Sequence, residues 1–212
     1  MTYILGGEVR HKDSTGTSGS IGKGDVQWMT AGSGIMHEEM PQGERGIKGF
    51  QLWVNLPSKH KMMNPRYQEV KSKDIPIISY SKNTLIRLIA GGLLDIDAPV
   101  TEIMAEPVYM DVEISAAETI TLPITQSHNA FLYVFEGNVH IGKKKISQGN
   151  VILLNRDGDN VELSVGSSGA RFLLAAGKPL GEPIAWYGPI VMNTRTELET
   201  AVYDLQSGNF VR

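Results

Sequence analysis

One short pattern occurs twice in this chain, and it limits the fold more than any other feature. Tyr3-Ile4-Leu5-Gly6-Gly7-Glu8-Val9 aligns with Tyr133-Val134-Phe135-Glu136-Gly137-Asn138-Val139: a tyrosine, a glycine four residues on, and a valine two further. Each copy is followed by a glycine, an acid or amide, and a valine, as Gly24-Asp25-Val26 and Gly149-Asn150-Val151. The intervening loop is a few residues longer in the first copy. Apolar residues that alternate around glycine turns have the period of strands, and a repeat of this kind marks duplicated structural units. The expectation is an all-β chain of two similar modules, residues 1–104 and 105–212, with Pro99 and Pro107 bracketing the join. Val108 to Leu132 precede the second tyrosine, enough for two strands, whereas only Met1 and Thr2 precede the first. On the repeat alone, the first module is expected to lack its opening strands.

The rest of the chain reads as short strands between turns, which argues for a sandwich or barrel. Strands are predicted at Tyr3–Val9, Gly49–Leu56, Ile75–Tyr80, Leu85–Ile89, Val108–Ile114, Phe131–Phe135, Val139–Ile141, Val151–Leu154, Val161–Val165 and Phe172–Ala175. His11 to Gly24 is rich in Ser, Thr, Gly and Lys and reads as a loop or open hairpin. One helix is predicted near the C-terminus. Thr194-Arg195-Thr196-Glu197 fits a capping box, Leu198, Val202 and Leu205 recur at helical spacing, and Gly208 suits the stop. Its apolar stripe is expected to pack on a sheet.

Composition narrows the function classes. A net charge of −3 gives no broad attraction to nucleic acid, and Lys143-Lys144-Lys145 reads as a charged hairpin tip. No direct nucleic-acid binding is expected. The absence of cysteine excludes disulfides, zinc-thiolate sites and cysteine nucleophiles. There is no secretory pattern at the N-terminus and no apolar run of membrane-spanning length. A cytoplasmic location is expected, with a nuclear one as well in a nucleated cell, and no membrane partner.

Chemistry concentrates in Gly24-Asp25-Val26-Gln27-Trp28-Met29-Thr30-Ala31-Gly32-Ser33-Gly34-Ile35-Met36-His37-Glu38-Glu39-Met40-Pro41. His37 and Glu39 lie two residues apart, so in an extended segment their side chains leave the same face. An imidazole beside a carboxylate is part of the donor set that holds iron(II) with open positions. Other constellations are weaker. Gly32-Ser33-Gly34 lacks the nucleophile-elbow frame, Gly91-Gly92 is too short for a phosphate loop, and Asp95 and Asp97 read as a solvated turn. His11 and His60 stand in polar, lysine-flanked stretches and read as solvated, and His128 as a strand-end or surface histidine.

That central stretch closely resembles the pirin family of bicupins. The resemblance continues through Gly49-Phe50-Gln51-Leu52-Trp53-Val54-Asn55-Leu56-Pro57 and Lys61-Met62-Met63-Asn64-Pro65-Arg66-Tyr67-Gln68. It returns in Ala176-Gly177-Lys178-Pro179-Leu180-Gly181-Glu182-Pro183-Ile184 and Tyr187-Gly188-Pro189-Ile190-Val191-Met192-Asn193-Thr194. It implies two tandem cupin-like, jelly-roll β-barrel modules with a C-terminal helix. It also implies a metal site of four ligands, two of which match His37 and Glu39. The other two form a His-x-His pair about ten and eight residues before the position of Tyr3, upstream of Met1. Pro123 and Thr125 stand at the matching positions of the second module.

The resemblance implies Fe(II) as cofactor and oxidation of a flavonol such as quercetin by dioxygen, provided the metal site is complete. With His37 and Glu39 alone, iron is expected to bind weakly. The alternative it implies is a non-catalytic regulatory protein, a transcription co-regulator acting through protein partners, or a vestigial one. An incomplete first module is expected to expose an apolar face that a partner chain or second copy would cover, leaving a monomer or a dimer through that module. The strand carrying Gln51 and Trp53 is expected near His37.

Overall fold

The two copies of the repeat close the same hydrogen-bonded turn. In the first, the Gly24 amide donates to the Ile4 carbonyl at 2.7 Å and the Ile4 amide to the Asp25 carbonyl at 3.1 Å; in the second, Gly149 donates to Val134 at 2.8 Å and Val134 to Asn150 at 3.1 Å. Gly7 and Gly137 match as well. Both have positive φ, 82° and 73°, and a Cβ on either would lie 2.4 Å from a carbonyl oxygen, that of Gly46 or of Gly169. Only glycine meets both conditions. The computed structural model describes residues 1–44 and 46–211.

The chain forms two compact units that do not follow its linear order. One comprises Met1–Ser72 with Leu180–Arg212, the other Lys73–Pro179. The repeat divides the sequence between residues 104 and 105, whereas compactness groups the C-terminal segment with the first strands.

In the first unit the strands are β1 (Thr2–Gly6), β2 (Glu8–Asp13), β3 (Ser18–Ile21), β4 (Val26–Thr30), β5 (His37–Gln42), β6 (Lys48–Gln51) and β7 (Arg66–Val70). They make a four-stranded sheet in the order β6-β1-β4-β7 and a three-stranded sheet in the order β3-β2-β5. Every pairing in them is antiparallel. Ile4, Val9 and Ile21 pack together as a small apolar core. The predicted Tyr3–Val9 strand is thus two strands turning at Gly7. The predicted Gly49–Leu56 strand is β6 alone, the chain leaving the sheet ahead of Pro57.

The second unit holds β8 (Ile77–Ser79), β9 (Thr84–Ala90), β10 (Gly92–Leu93), β11 (Ile96–Asp97), β12 (Val108–Ile114), β13 (Glu118–Pro123), β14 (Asn129–Ile141), β15 (Lys144–Ser147), β16 (Val151–Leu153) and β17 (Asn160–Gly177). Its main sheet runs β15-β14-β17-β12-β9-β8, with β13 on β17 and β16 on β14. Leu88, Val112, Leu132, Val134, Phe172 and Leu174 form a fully buried core. Four predicted strands are really two. Gly137 lies within β14, between register shifts at Val134/Glu136 and Gly137/Val139, so this glycine marks a bulge rather than a turn. Lys143 lies in the β14–β15 turn and Asp95 in the β10–β11 turn, as expected, whereas Lys144 and Lys145 open β15 and Asp97 ends β11.

The segment from Leu180 contributes β18 (Ala185–Tyr187), β19 (Ile190–Met192) and α1 (Arg195–Ser207). Thr194 caps α1 in a full capping box with Glu197, and Gly208 ends it at φ 77°. The predicted packing of its stripe on a sheet holds in part, with Leu198 and Val202 half-buried. No residue of α1 is buried, and Tyr203 and Leu205 are exposed. The helix rests on the short β18–β19 hairpin, too narrow to cover it. Among the described residues, no helix is long and apolar enough to cross a membrane.

Candidate metal centre

The two sheets of the first unit face each other through polar side chains. One rung of the four-stranded sheet carries Gln51, Thr2, Gln27 and Glu69 as successive cross-strand partners, and the next carries Met29 opposite Tyr67. On the three-stranded sheet, one rung carries Gly19, His11 and Glu39, and the next carries Asp13 opposite His37. Cross-strand partners share a face, so His11, Asp13, His37 and Glu39 stand together. Along β2 that inner face passes from apolar Val9 to His11 and Asp13, with Glu8, Arg10 and Lys12 outward.

Several of these polar groups find a partner, while the buried His11 Nδ1, Asp13 Oδ2 and Gln27 Nε2 have no hydrogen-bond partner among the described residues. Glu39 accepts from the Thr2 hydroxyl and from the Gln51 amide, both at 3.3 Å. His11 Nε2 lies 3.1 Å from Glu69 Oε1, its ring 6.2 Å from the Tyr67 ring at an interplanar angle of 19°. His37 Nδ1 lies 3.1 Å from the Met29 sulfur. Burial works against ionisation of Asp13, but hydrogen bonds from the Thr15 hydroxyl, Thr15 amide, Tyr67 and the Thr17 amide outweigh it and hold the carboxyl below its usual range. Burial first, and then the facing Asp13, push the Tyr67 phenol well above its usual range. It therefore remains a hydrogen-bond donor.

Sequence reading and structure agree on some of these residues and part on others. His37 and Glu39 lie on β5 and share its inner face; His37 is exposed and Glu39 half-buried. Gln51 reaches Glu39 as expected of its strand, while Trp53 lies beyond it and is exposed. The solvated reading of His11 is wrong. It is only 6% exposed, because the lysine flanking it is on the opposite face of an ordered strand. His128 precedes β14, but is buried rather than superficial. His60 ends a short 3-10 turn, Ser58–His60, and is half-buried. Gln27, Glu69, Asp13 and Tyr67 escaped sequence reading altogether. Nothing local in the sequence tells that the Gln27 face of β4 is interior, yet Gln27 is only 4% exposed.

Iron(II) prefers more nitrogen and oxygen donors than one imidazole and one carboxylate supply. Among the described residues, no three His, Cys, Asp or Glu side chains converge on a point. His11, directly across from Glu39, is turned to Glu69. These residues do not by themselves build an iron(II) site.

Comparison with known proteins places the chain. The family pattern of pirin matches residues 1–54, and that of the pirin C-terminal cupin domain matches residues 109–211. A pirin-like protein of Caulobacter vibrioides is 41% identical over 99% of this chain and 76% of its own length. A protein of Thermoplasma acidophilum named as a putative quercetin 2,3-dioxygenase is 36% identical over the whole chain and 88% of its own length. The crystal structure of a quercetin 2,3-dioxygenase from Acinetobacter baumannii superposes with a TM-score of 0.93 at 38% identity, covering 99% of this chain and 74% of that one. Two cupin modules, a polar interior in the first, and identity of this extent over nearly every residue establish that the chain belongs to the pirin family.

Proposed function

We propose that this protein takes part in metal-dependent oxidation of flavonols, of the quercetin 2,3-dioxygenase type, with His37 and Glu39 as its metal-facing pair. The observation that supports this most is their shared inner face on β5, with the carboxylate oriented by Thr2 and Gln51. Fixed orientation is what a ligating carboxylate draws from its outer partners. Relatives named as putative quercetin 2,3-dioxygenases support the substrate class. Further donors beyond this pair are required to retain iron(II). The test is quercetin consumption by protein loaded with iron(II), beside His37→Ala and Glu39→Gln. Turnover that a chelator abolishes and both variants lack is expected; equal turnover in His37→Ala refutes the assignment.

The two-donor set favours a second reading, a non-catalytic binding protein of the pirin type. Under it, iron-free protein binds its protein partner as well as iron-treated protein does, and consumes no flavonol.

A further inference from the structure

The second unit keeps a pocket at the place where the first carries its imidazoles and carboxylate. The repeat fixes the correspondence. Tyr3 pairs with Val26 as Tyr133 pairs with Val151, and Val9 pairs with Pro41 as Val139 pairs with Val165. Counted along these strands, Ile141 stands at the position of His11 and Leu154 at that of Met29. Val161 and Leu163 stand at the positions of His37 and Glu39. Both imidazoles, the thioether and the carboxylate are thus replaced by aliphatic side chains. Leu163 joins the core. Ile141, Leu154 and Val161, together with Ile124, line a cavity of about 230 Å³. Ile124, Ile141 and Leu154 are only half-buried. Asp157 and Glu162 also line it, and among the described residues that do so none is Lys, Arg or His. Neither carboxylate is held by a hydrogen bond or ion pair among the described residues.

We propose that this pocket binds a small aromatic amine, its ring on the aliphatic floor and its ammonium group at the carboxylates of Asp157 and Glu162. Half-exposed aliphatic walls gain free energy when an apolar ring displaces water from them. An apolar cavity of about 150 Å³ already accepts benzene, and drug-sized ligands occupy about 300–1,000 Å³. The space here therefore suits one ring with a short side chain and is too small for the three rings of a flavonol. Two carboxylates with no cation beside them favour a cationic ligand and disfavour an anionic one. The positions equivalent to His37 and Glu39 supply no metal donor, so binding needs no metal. The inference rests on the second unit alone and is independent of the proposed function.

The test titrates the full chain with phenethylamine and with its neutral analogue 2-phenylethanol, followed by backbone amide chemical shifts. Phenethylamine is expected to shift residues around Ile124, Ile141 and Leu154 saturably. It should bind roughly twofold to fivefold more tightly than 2-phenylethanol, the gain from an exposed ion pair. Asp157→Asn combined with Glu162→Gln alters exposed positions; it should abolish that preference and leave 2-phenylethanol binding unchanged. Ile124→Trp fills the cavity and should abolish binding of both probes. His37→Ala should change neither. The absence of saturable shifts with either probe overturns the proposal. So do shifts centred away from these residues, a preference that survives loss of both carboxylates, or binding lost in His37→Ala.

Discussion

Replacing Gly19 by alanine attacks the polar interior at its tightest point. Gly19 is the cross-strand partner of His11. A Cβ there would lie 2.7 Å from His11 Nε2, 3.2 Å from its Cε1 and 3.3 Å from Glu69 Oε1, where ordinary contact begins at 3.4 Å. The ring must retreat by roughly 0.7 Å, the shortfall at its nearest atom. It has little freedom to do so, being buried, bound to Glu69 and stacked on Tyr67. Overpacking of this kind costs about 1–3 kcal/mol, and breaking a buried hydrogen bond to a charged group costs about 1–3 kcal/mol more. These overlap, since one movement relieves the clash and breaks the bond, so about 2–4 kcal/mol in all is expected. The backbone at Gly19 is not left-handed, so none of this is conformational strain. Urea unfolding followed by tryptophan fluorescence reads the right unit, because Trp28, Trp53 and Trp186 all belong to it. Gly22→Ala is the control, with nothing within 4 Å of its Cβ. In a His11→Ala background the Gly19→Ala penalty should largely vanish. A Gly19→Ala variant within about 0.5 kcal/mol of Gly22→Ala, or an undiminished penalty without His11, would refute the packing account.

Two further predictions rest on carboxylates. Burial raises the Asp25 carboxyl, but the Gly22 and Ser72 amides and Lys71 together hold it below the usual aspartate range. A depressed folded pKa means its stabilisation is fully present above about pH 4, the ordinary aspartate value, and is lost as pH falls through the folded value. Acid unfolding of Asp25→Asn should accordingly be shallower than that of wild type; superimposable acid profiles would rule this out. In the second unit, Asp111 is fully buried, accepts from Arg171 Nε and Nη2 on its two carboxylate oxygens, and is approached by Arg87 at 4.0 Å. Asp111→Ala removes the buried carboxylate that Arg171 and Arg87 share and should cost about 3–5 kcal/mol, measured as faster amide exchange along β12 and β17. Unchanged exchange there would show that the pair is not essential to that sheet.

Much of the fold was legible because it rests on local rules. Glycine turns, alternation and the capping box each bind neighbouring residues, so Gly24, Gly149, Thr194 and Gly208 could be placed from sequence. The His37–Glu39 pair was legible for the same reason, strand parity acting over two residues. Element length was less so. Gly137 reads as a break in any single strand, yet the partner strands continue past it and turn it into a bulge.

By itself the sequence determined that the chain is mainly β, that its hairpin unit is duplicated, and that the imidazole and the carboxylate share one face of β5. These follow from periodicity and backbone preference, which act within a few residues. The tertiary structure decided what those side chains meet. Which sheet lies opposite β2 and β5 depends on pairings between residues far apart in the chain, and those pairings give His11 to Glu69 and His37 to Met29. Lysine-flanked His11 looks solvated along the sequence and is buried in space, because burial belongs to a face of a packed sheet and not to a stretch of chain.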